Sequence, residues 1–259
     1  MRNKLTDELA VCGLNAALAL AEHHPETINR LFLREDRFRA FTGVCKKLAE
    51  RKRPYKVCTD EELERICKSV HHQGVVAMIV DPEVEPLTRE DLDLWASEGK
   101  TGIVLHEVGN DHNLGAIARA AAFFDAHFIV LNEHDSEARL STSAYRVAEG
   151  GMEHVVVREI SSTAAFLKDA AKKIIVIGTD IRARLRIGDL PGIVHDVVKD
   201  RAGGARPGIA LVLGNEERGL PQEVKDNCTC ILRVPGTGNI ESLNVSQAAA
   251  LFLREMYDL

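Results

Sequence analysis

The chain has 259 residues, 45% of them hydrophobic and 28% charged, with a formal net charge of −6 at pH 7. That length suits two globular domains better than one core, and the longest apolar run, Leu14 to Ala21, is far too short to span a bilayer, which excludes a helical membrane protein. The six cysteines are scattered without a CxxC pair and Met1 to Ala10 lacks the apolar core of a signal peptide, so we expect reduced thiols, no metal site and a cytoplasmic protein.

Residues 1–80 read as a small α/β module. An Ala/Leu-rich helix spans Leu14 to Ala21 and is closed from beyond by Pro25. A strand follows at Ile28 to Leu33. In the next segment Phe38, Phe41, Val44, Cys45 and Leu48 recur at helical spacing, which buries an apolar face and leaves the cations wet. Between Arg37 and Lys56 eight cations stand against the single acid Glu50, a net of +7 that leaves −13 for the rest of the chain. Such a patch can dominate binding locally even when the whole protein is acidic, although a solvated helix face accounts for most charge runs. Pro54 to Val57 reads as a short strand, and Asp60 to Val70 as an amphipathic helix with a capping acid. His71-His72-Gln73-Gly74 then leads into a strand through Val80. The two histidines are adjacent on an extended segment and point to opposite faces, which argues against a metal or acid–base pair.

The acidic stretch 81–99, with Pro82 and Pro86 and a helical turn or two near Trp95, reads as a linker. From Gly102 the pattern alternates β and α, which predicts a mostly parallel sheet covered on both faces. Strands are expected at Ile103 to Glu107, His127 to Leu131, His154 to Val157, Ile174 to Gly178, Ile209 to Leu213 and Thr229 to Val234. Helices are expected at Leu114 to Phe124, Ser162 to Lys172, Pro221 to Asp226 and Leu243 to Tyr257. Arg182 to Gly204 reads as a surface loop.

Two glycine-bearing polar loops follow the last two strands, Asn215 to Val224 and Gly236 to Asn244. Loops of this kind at strand carboxyl ends are where ligands sit in α/β sheets. Neither is a P-loop, and Gly236-Thr-Gly238 lacks the third glycine of the dinucleotide fingerprint, so no phosphate cradle is expected. Together with Asn113-Leu-Gly115-Ala116-Ile117-Ala-Arg119, the stretches Gly214-Asn-Glu216-Glu-Arg-Gly219-Leu220 and Pro235-Gly-Thr-Gly238…Ser242-Leu243-Asn244-Val245-Ser246 resemble the three signature motifs of the SpoU/TrmH RNA 2′-O-ribose methyltransferases, a branch of the SPOUT superfamily. The resemblance covers roughly residues 100–259. His72-Gln73-Gly74 and, more loosely, Cys12-Gly13 resemble the small RNA-binding domain that precedes the catalytic domain in many members.

The resemblance implies an α/β fold with an N-terminal RNA-binding module (1–80), a linker (81–99) and a SPOUT domain (100–259) whose mostly parallel sheet ends in a C-terminal trefoil knot. It also implies a homodimer acting on rRNA or tRNA with S-adenosylmethionine (SAM) and no metal. Leu213, Gly214, Asn215, Val234, Ser242, Leu243 and Asn244 match cofactor-enclosing positions. Gly219 and Gly238 would be turn glycines, and Ser242 and Ser246 could instead simply cap the last helix. In this family Ser141 to Gly151 corresponds to a polar segment with a small-residue turn, which here reads Ala148-Glu149-Gly150-Gly151. The RNA contacts would come from Arg37, Arg39, Lys46, Lys47, Arg51, Lys52 and Arg53.

Methyl transfer from a sulfonium to a ribose hydroxyl neutralises charge and releases one proton, so it favours a dry pocket and close in-line positioning. The motifs imply Arg119, Asn113, Glu216 and Asn244 for this task. Arg119 either loses its proton transiently with help from a substrate phosphate or, the reading we favour, stays charged and stabilises the developing alkoxide. Asn113 and Asn244 suit orienting the ribose, Arg119 or the cofactor, and Glu216 suits bracing Asn113 or Arg119. Two other functions fit the same motifs less well: a non-catalytic RNA-binding or assembly protein, and a SPOUT enzyme that methylates a base nitrogen.

Overall fold

The computed structural model describes residues 2–3, 7–134, 139–199 and 206–259. Its contacts divide the chain into two units. One takes the residues up to Glu83 together with Leu114–Arg119 and Arg139–His154, and the other holds the remainder.

The first unit carries β1 (Arg2–Asn3), β2 (Glu8–Cys12), α1 (Leu14–His23), β3 (Ile28–Leu33), α2 (Thr42–Glu50), β4 (Tyr55–Val57), α3 (Asp60–Cys67) and β5 (Val75–Val80). The strands form one sheet in the order β1-β2-β5-β3-β4, antiparallel except for the β3–β4 pair. Side-chain alternation sorts β2 and β5 onto two faces. Leu9, Val11, Val75, Ala77 and Ile79 pack with Leu20 of α1 and Val44 and Leu48 of α2. Ala10, Cys12, Val76 and Met78 pack with Leu63 and Cys67 of α3. The basic segment begins as a 3-10 turn over Glu35–Phe41 before α2. α3 is capped by Thr59 in a reciprocal box with Glu62, and not by the acid Asp60.

The second unit contributes β6 (Glu85–Pro86), α4 (Arg89–Ser97) and β7 (Thr101–Leu105), after which α5 (Asp111–Phe123) starts in this unit and runs through Leu114–Arg119 of the first. Then come β8 (Ala126–Asn132), α6 (Thr142–Ala148, in the first unit), β9 (Val156–Ile160), α7 (Thr163–Ala170), β10 (Ile175–Thr179), β11 (Leu185–Arg186), α8 (Leu190–Lys199), β12 (Ile209–Leu213), α9 (Gln222–Lys225), β13 (Cys230–Arg233) and α10 (Val245–Tyr257). Eight strands form a parallel sheet in the order β11-β13-β10-β12-β7-β8-β9-β6. β12 inserts between β10 and β7, β13 lies outside β10, and α10 returns to pack on β12. The buried runs of β7, β8, β10 and β12 are what a doubly covered parallel sheet requires.

Two expectations need correction. Residues 81–99 are not a linker, because β6 pairs with β9 as the edge of the large sheet and α4 is folded against it. Trp95 of α4 is fully buried, stacks on Phe128 at 5.0 Å and donates its indole N–H to the Ile209 carbonyl at 3.1 Å. Arg182 to Lys199 is not a loop either: it forms β11 and the helix α8, with Leu190 and Val194 buried. Gly203 and Gly204 of that expected loop lie outside the described residues.

Candidate active site

The loop after β7 and the loop after β12 grip one another. Glu107 and Asn110 adopt φ of +52° and +54°, a left-handed region that non-glycine residues enter rarely and chiefly where surrounding contacts impose it. Asn215 supplies some of those contacts: its amide donates to the Glu107 carbonyl at 2.9 Å, while its oxygen accepts from the N–H groups of Glu217 and Arg218 at 3.0 Å each. Asn110 caps α5 by accepting from the Asn113 N–H at 3.0 Å.

Asn113 is 7% exposed and every polar atom of its side chain is engaged. Its amide nitrogen donates to the Gly109 carbonyl at 3.0 Å and to Glu216 Oε1 at 2.5 Å, and its oxygen accepts from Asn244 Nδ2 at 3.1 Å. Carboxylate and carbonyl only accept, which fixes which end of the amide is nitrogen. Glu216 Oε2 accepts from the Gly109 N–H at 3.2 Å. Asn244 is itself the N-cap of α10, accepting from the Ser246 N–H at 2.9 Å and its hydroxyl at 2.6 Å. The cap is thus Asn244 and not Ser242 or Ser246. One residue from each of the three sequence motifs therefore meets in a single network. Its members brace the loops, and both N–H donors of the Asn113 side chain are committed to that bracing, while its oxygen keeps one further acceptor site.

Arg119 is not in that network. It lies six residues beyond Asn113 on α5, about 240° around the helix at 100° per residue. Its side chain is 60% exposed, and its guanidinium pairs with Glu149 Oε2 at 3.4 Å.

A cavity of about 980 Å³ opens beside the loops after β10, β12 and β13, near the upper end of the roughly 300–1,000 Å³ typical of small-molecule sites. Leu213, Gly214, Asn215, Glu216, Val234, Ser242 and Leu243 line it, and so do Val245 and Phe252. Asn244 is not among the lining residues. A Cβ on Gly214 would lie 2.6 Å from the Gly219 carbonyl carbon, so only glycine lets the two ends of this loop close. Sequence reading missed Asp180, Arg182 and Lys225, which also line the cavity. The only available signal was the polar Thr179-Asp180 at the carboxyl end of an apolar run. Burial pushes the Asp180 carboxyl up, but its ion pair with Lys225 and the Arg182 N–H at 2.7 Å outweigh this and hold it below the usual carboxylate range.

Apolar walls, loop backbone and an adjacent pair of opposite charges suit a ligand with a flat heterocycle at one end and a zwitterion at the other. Among the described residues no group of three or more His, Cys, Asp or Glu side chains could hold a metal ion. His72 is buried and accepts from the Gly74 N–H at 3.1 Å, a structural use.

Of the expected RNA-contacting cations, Arg39, Lys46, Lys47, Arg51 and Lys52 are exposed on the first unit. Arg53 is turned inward, donating to the carbonyls of Glu26 and Ile28 at 2.9 and 2.7 Å. Arg37 is half-buried and donates to the Gln73 carbonyl at 3.2 Å.

Comparison with known proteins places the chain in a family and a fold. Residues 100–254 match the model of the SpoU rRNA Methylase family, and residues 10–85 match that of the RNA 2′-O ribose methyltransferase substrate-binding domain. A TrmH family tRNA/rRNA methyltransferase by name, YacO of Bacillus subtilis, is 32% identical over 72% of this chain and 70% of its own. The 23S rRNA (guanosine-2′-O-)-methyltransferase RlmB of Nitrosomonas europaea is 28% identical over 98% of this chain and 92% of its own. The AdoMet-bound rRNA methyltransferase from Sinorhizobium meliloti superposes with a TM-score of 0.73 over 97% of this chain and 87% of that one, at 21% identity, a likeness of fold.

Proposed function

The chain belongs to the SpoU rRNA methylase family, and from that premise we propose that it methylates a ribose 2′-hydroxyl of RNA with S-adenosylmethionine as donor. The observation that carries this reading is the Asn113–Glu216–Asn244 network, which ties three distant stretches of chain together around the loops that wall the cavity. Several relatives that match nearly the whole chain, those of Nitrosomonas europaea and Bordetella pertussis among them, are named as 23S rRNA guanosine-2′-O enzymes, which supports rRNA as the substrate class.

Bound SAM supplies an electrophilic methyl group on a sulfonium. Leu213, Val234 and Leu243 with the Gly214 backbone would enclose its apolar part, and Asp180, Arg182 and Lys225 would meet its charged end. Glu216 and Asn113 keep the two loops in register, so the pocket is formed before the ligand arrives and little binding energy is lost to ordering it. Arg119, always a cation and a fixed fork of donors, would stabilise the oxyanion that develops on the ribose as the hydroxyl proton passes to water. The exposed cations of α2 and the turn after it would hold the RNA backbone without reading its sequence.

The C-terminal path, from β13 back to α10 on β12, is compatible with the trefoil knot of the SPOUT fold. We assign the chain to a homodimer through the outer faces of α5 and α10: Phe123 is 79% exposed, and Phe124 stands against Tyr257, itself 56% exposed. Apolar surface of this kind marks contact sites, and Phe123→Glu should convert a dimer at micromolar concentration to a monomer, read by light scattering. No helix among the described residues is long and apolar enough to cross a membrane, and the six free cysteines suit the reducing cytoplasm.

The test of the reading is transfer of tritium from methyl-labelled SAM to total RNA of a strain lacking the gene. Incorporation into rRNA with none into wild-type RNA is the expected result. Absence of both SAM binding and incorporation would leave a non-catalytic RNA-binding protein.

A further inference from the structure

The turn that follows α6 is built against two helices at once. Glu149 has φ +46° and Gly150 φ +96°. A Cβ on Gly150 would sit 2.8 Å from the Ala19 Cβ of α1, and one on Gly151 would sit 2.8 Å from the Arg119 Cα of α5. The backbone of Arg119 is therefore pressed onto this turn, and α1 of the N-terminal module is pressed onto its other side. The same turn meets the Arg119 side chain. Glu149 Oε2 pairs with the guanidinium at 3.4 Å and also accepts from Asn15 Nδ2 of α1 at 3.1 Å. Four residues on, Glu153 pairs with His24 just past the end of α1 at 2.6 Å, so the segment is tied to that helix a second time.

Glutamate is a poor residue for a left-handed position, where glycine or asparagine carries no such cost. Its presence there places a carboxylate against an arginine whose long side chain is otherwise exposed. The geometry points to Glu149 as a positioning residue that holds the Arg119 guanidinium in its working orientation, with Asn15 of α1 setting Glu149 in turn. This rests on the catalytic reading of Arg119. A misplaced charge-stabilising group loses rate steeply, since an error of about 1 Å can cost on the order of a hundredfold. Through Asn15 the N-terminal module contributes to the chemistry and not only to RNA affinity.

The experiment uses the full chain, saturating SAM and saturating total RNA from the deletion strain, and measures the single-turnover methylation rate, SAM affinity and thermal stability together. Glu149→Gly removes the carboxylate and relieves the left-handed backbone. It should keep or raise Tm and leave SAM affinity unchanged, yet slow methylation about tenfold or more. Glu149→Gln should keep most of the rate, because one oxygen receives both Arg119 and Asn15 and an amide oxygen can do the same. Asn15→Ala should give a smaller loss in the same rate. In an Arg119→Ala background Glu149→Gly should have no further effect. A wild-type rate for Glu149→Gly, or a loss of the same size in the Arg119→Ala background, overturns the proposal. A wild-type rate for Arg119→Ala alone would instead remove the catalytic reading on which it rests.

Discussion

Glu216 offers the sharpest test of how the site is held. Its carboxylate accepts from Asn113 Nδ2 at 2.5 Å and from the Gly109 N–H at 3.2 Å. Hydrogen bonds to a charged group contribute roughly 1.5–3 kcal/mol each when shielded. Glu216 is exposed, so water takes over part of both bonds, and Glu216→Ala should cost about 1–2 kcal/mol. For a chain of this size that is a fall in Tm of about 2–8 °C. The consequence for function is larger than for stability. Freed from Glu216, Asn113 loosens its hold on Asn244, which is at once the cap of α10. The loops that wall the cavity then lose their fixed spacing, and SAM affinity measured by calorimetry should weaken several-fold with the rate falling alongside. Glu216→Gln should be intermediate, since its amide oxygen can satisfy one donor while its NH₂ confronts the other. A Glu216→Ala protein with Tm within about 1 °C of wild type and unaltered SAM affinity would refute this account of the network.

Three further outcomes are expected. Arg119→Ala should keep near-wild-type SAM affinity and lose turnover by a factor on the order of a hundred or more, while Arg119→Lys recovers only part, because an ammonium cannot reproduce the guanidinium fork; full single-turnover activity of the alanine variant would end its catalytic role. Reversal of Lys46, Lys47, Arg51 and Lys52 to Glu should weaken RNA binding and flatten its salt dependence in a filter-binding series, and unchanged binding would move the RNA face elsewhere. Asp180, held below its ordinary range in the folded state mainly by Lys225 against the effect of burial, stabilises the fold above its unfolded pKa of about 3.9, and this contribution is lost as pH falls through the lower folded value. Asp180→Asn should therefore lower Tm at neutral pH and lessen its fall on acidification, and parallel pH profiles for the two proteins would show that the pair contributes nothing.

The loops that wall the cavity are legible in the chain because their pattern is local. The loops after β12 and β13 follow short apolar runs bounded by glycine or proline, and the expected strand at Ile209 to Leu213 has the observed bounds. What escaped depended on distant partners. Residues 81–99 look like a linker until Trp95 finds Phe128 and the Ile209 carbonyl. Arg182 to Gly204 reads as a surface loop, but Pro191 is tolerated in the first turn of a helix, and α8 starts at Leu190. Arg53 read as one more exposed cation of a basic run, yet two carbonyls near the start of β3 claim its guanidinium. Asn113 was recognisable as a motif residue, but its use as an internal brace depends on Glu216 and Asn244, more than a hundred residues away. Tyr145, far along the chain, packs on the core of the N-terminal unit, and burial there pushes its phenol up.

The central claim is that the methyl group goes to a ribose oxygen. It is tested most directly by incubating the purified protein with SAM and rRNA from the deletion strain and hydrolysing the product with alkali. A 2′-O-methyl blocks cleavage at its own phosphodiester, so the account predicts that the label resides in an alkali-resistant dinucleotide which Arg119→Ala fails to produce. Label recovered instead in a mononucleotide carrying a methylated base would contradict it.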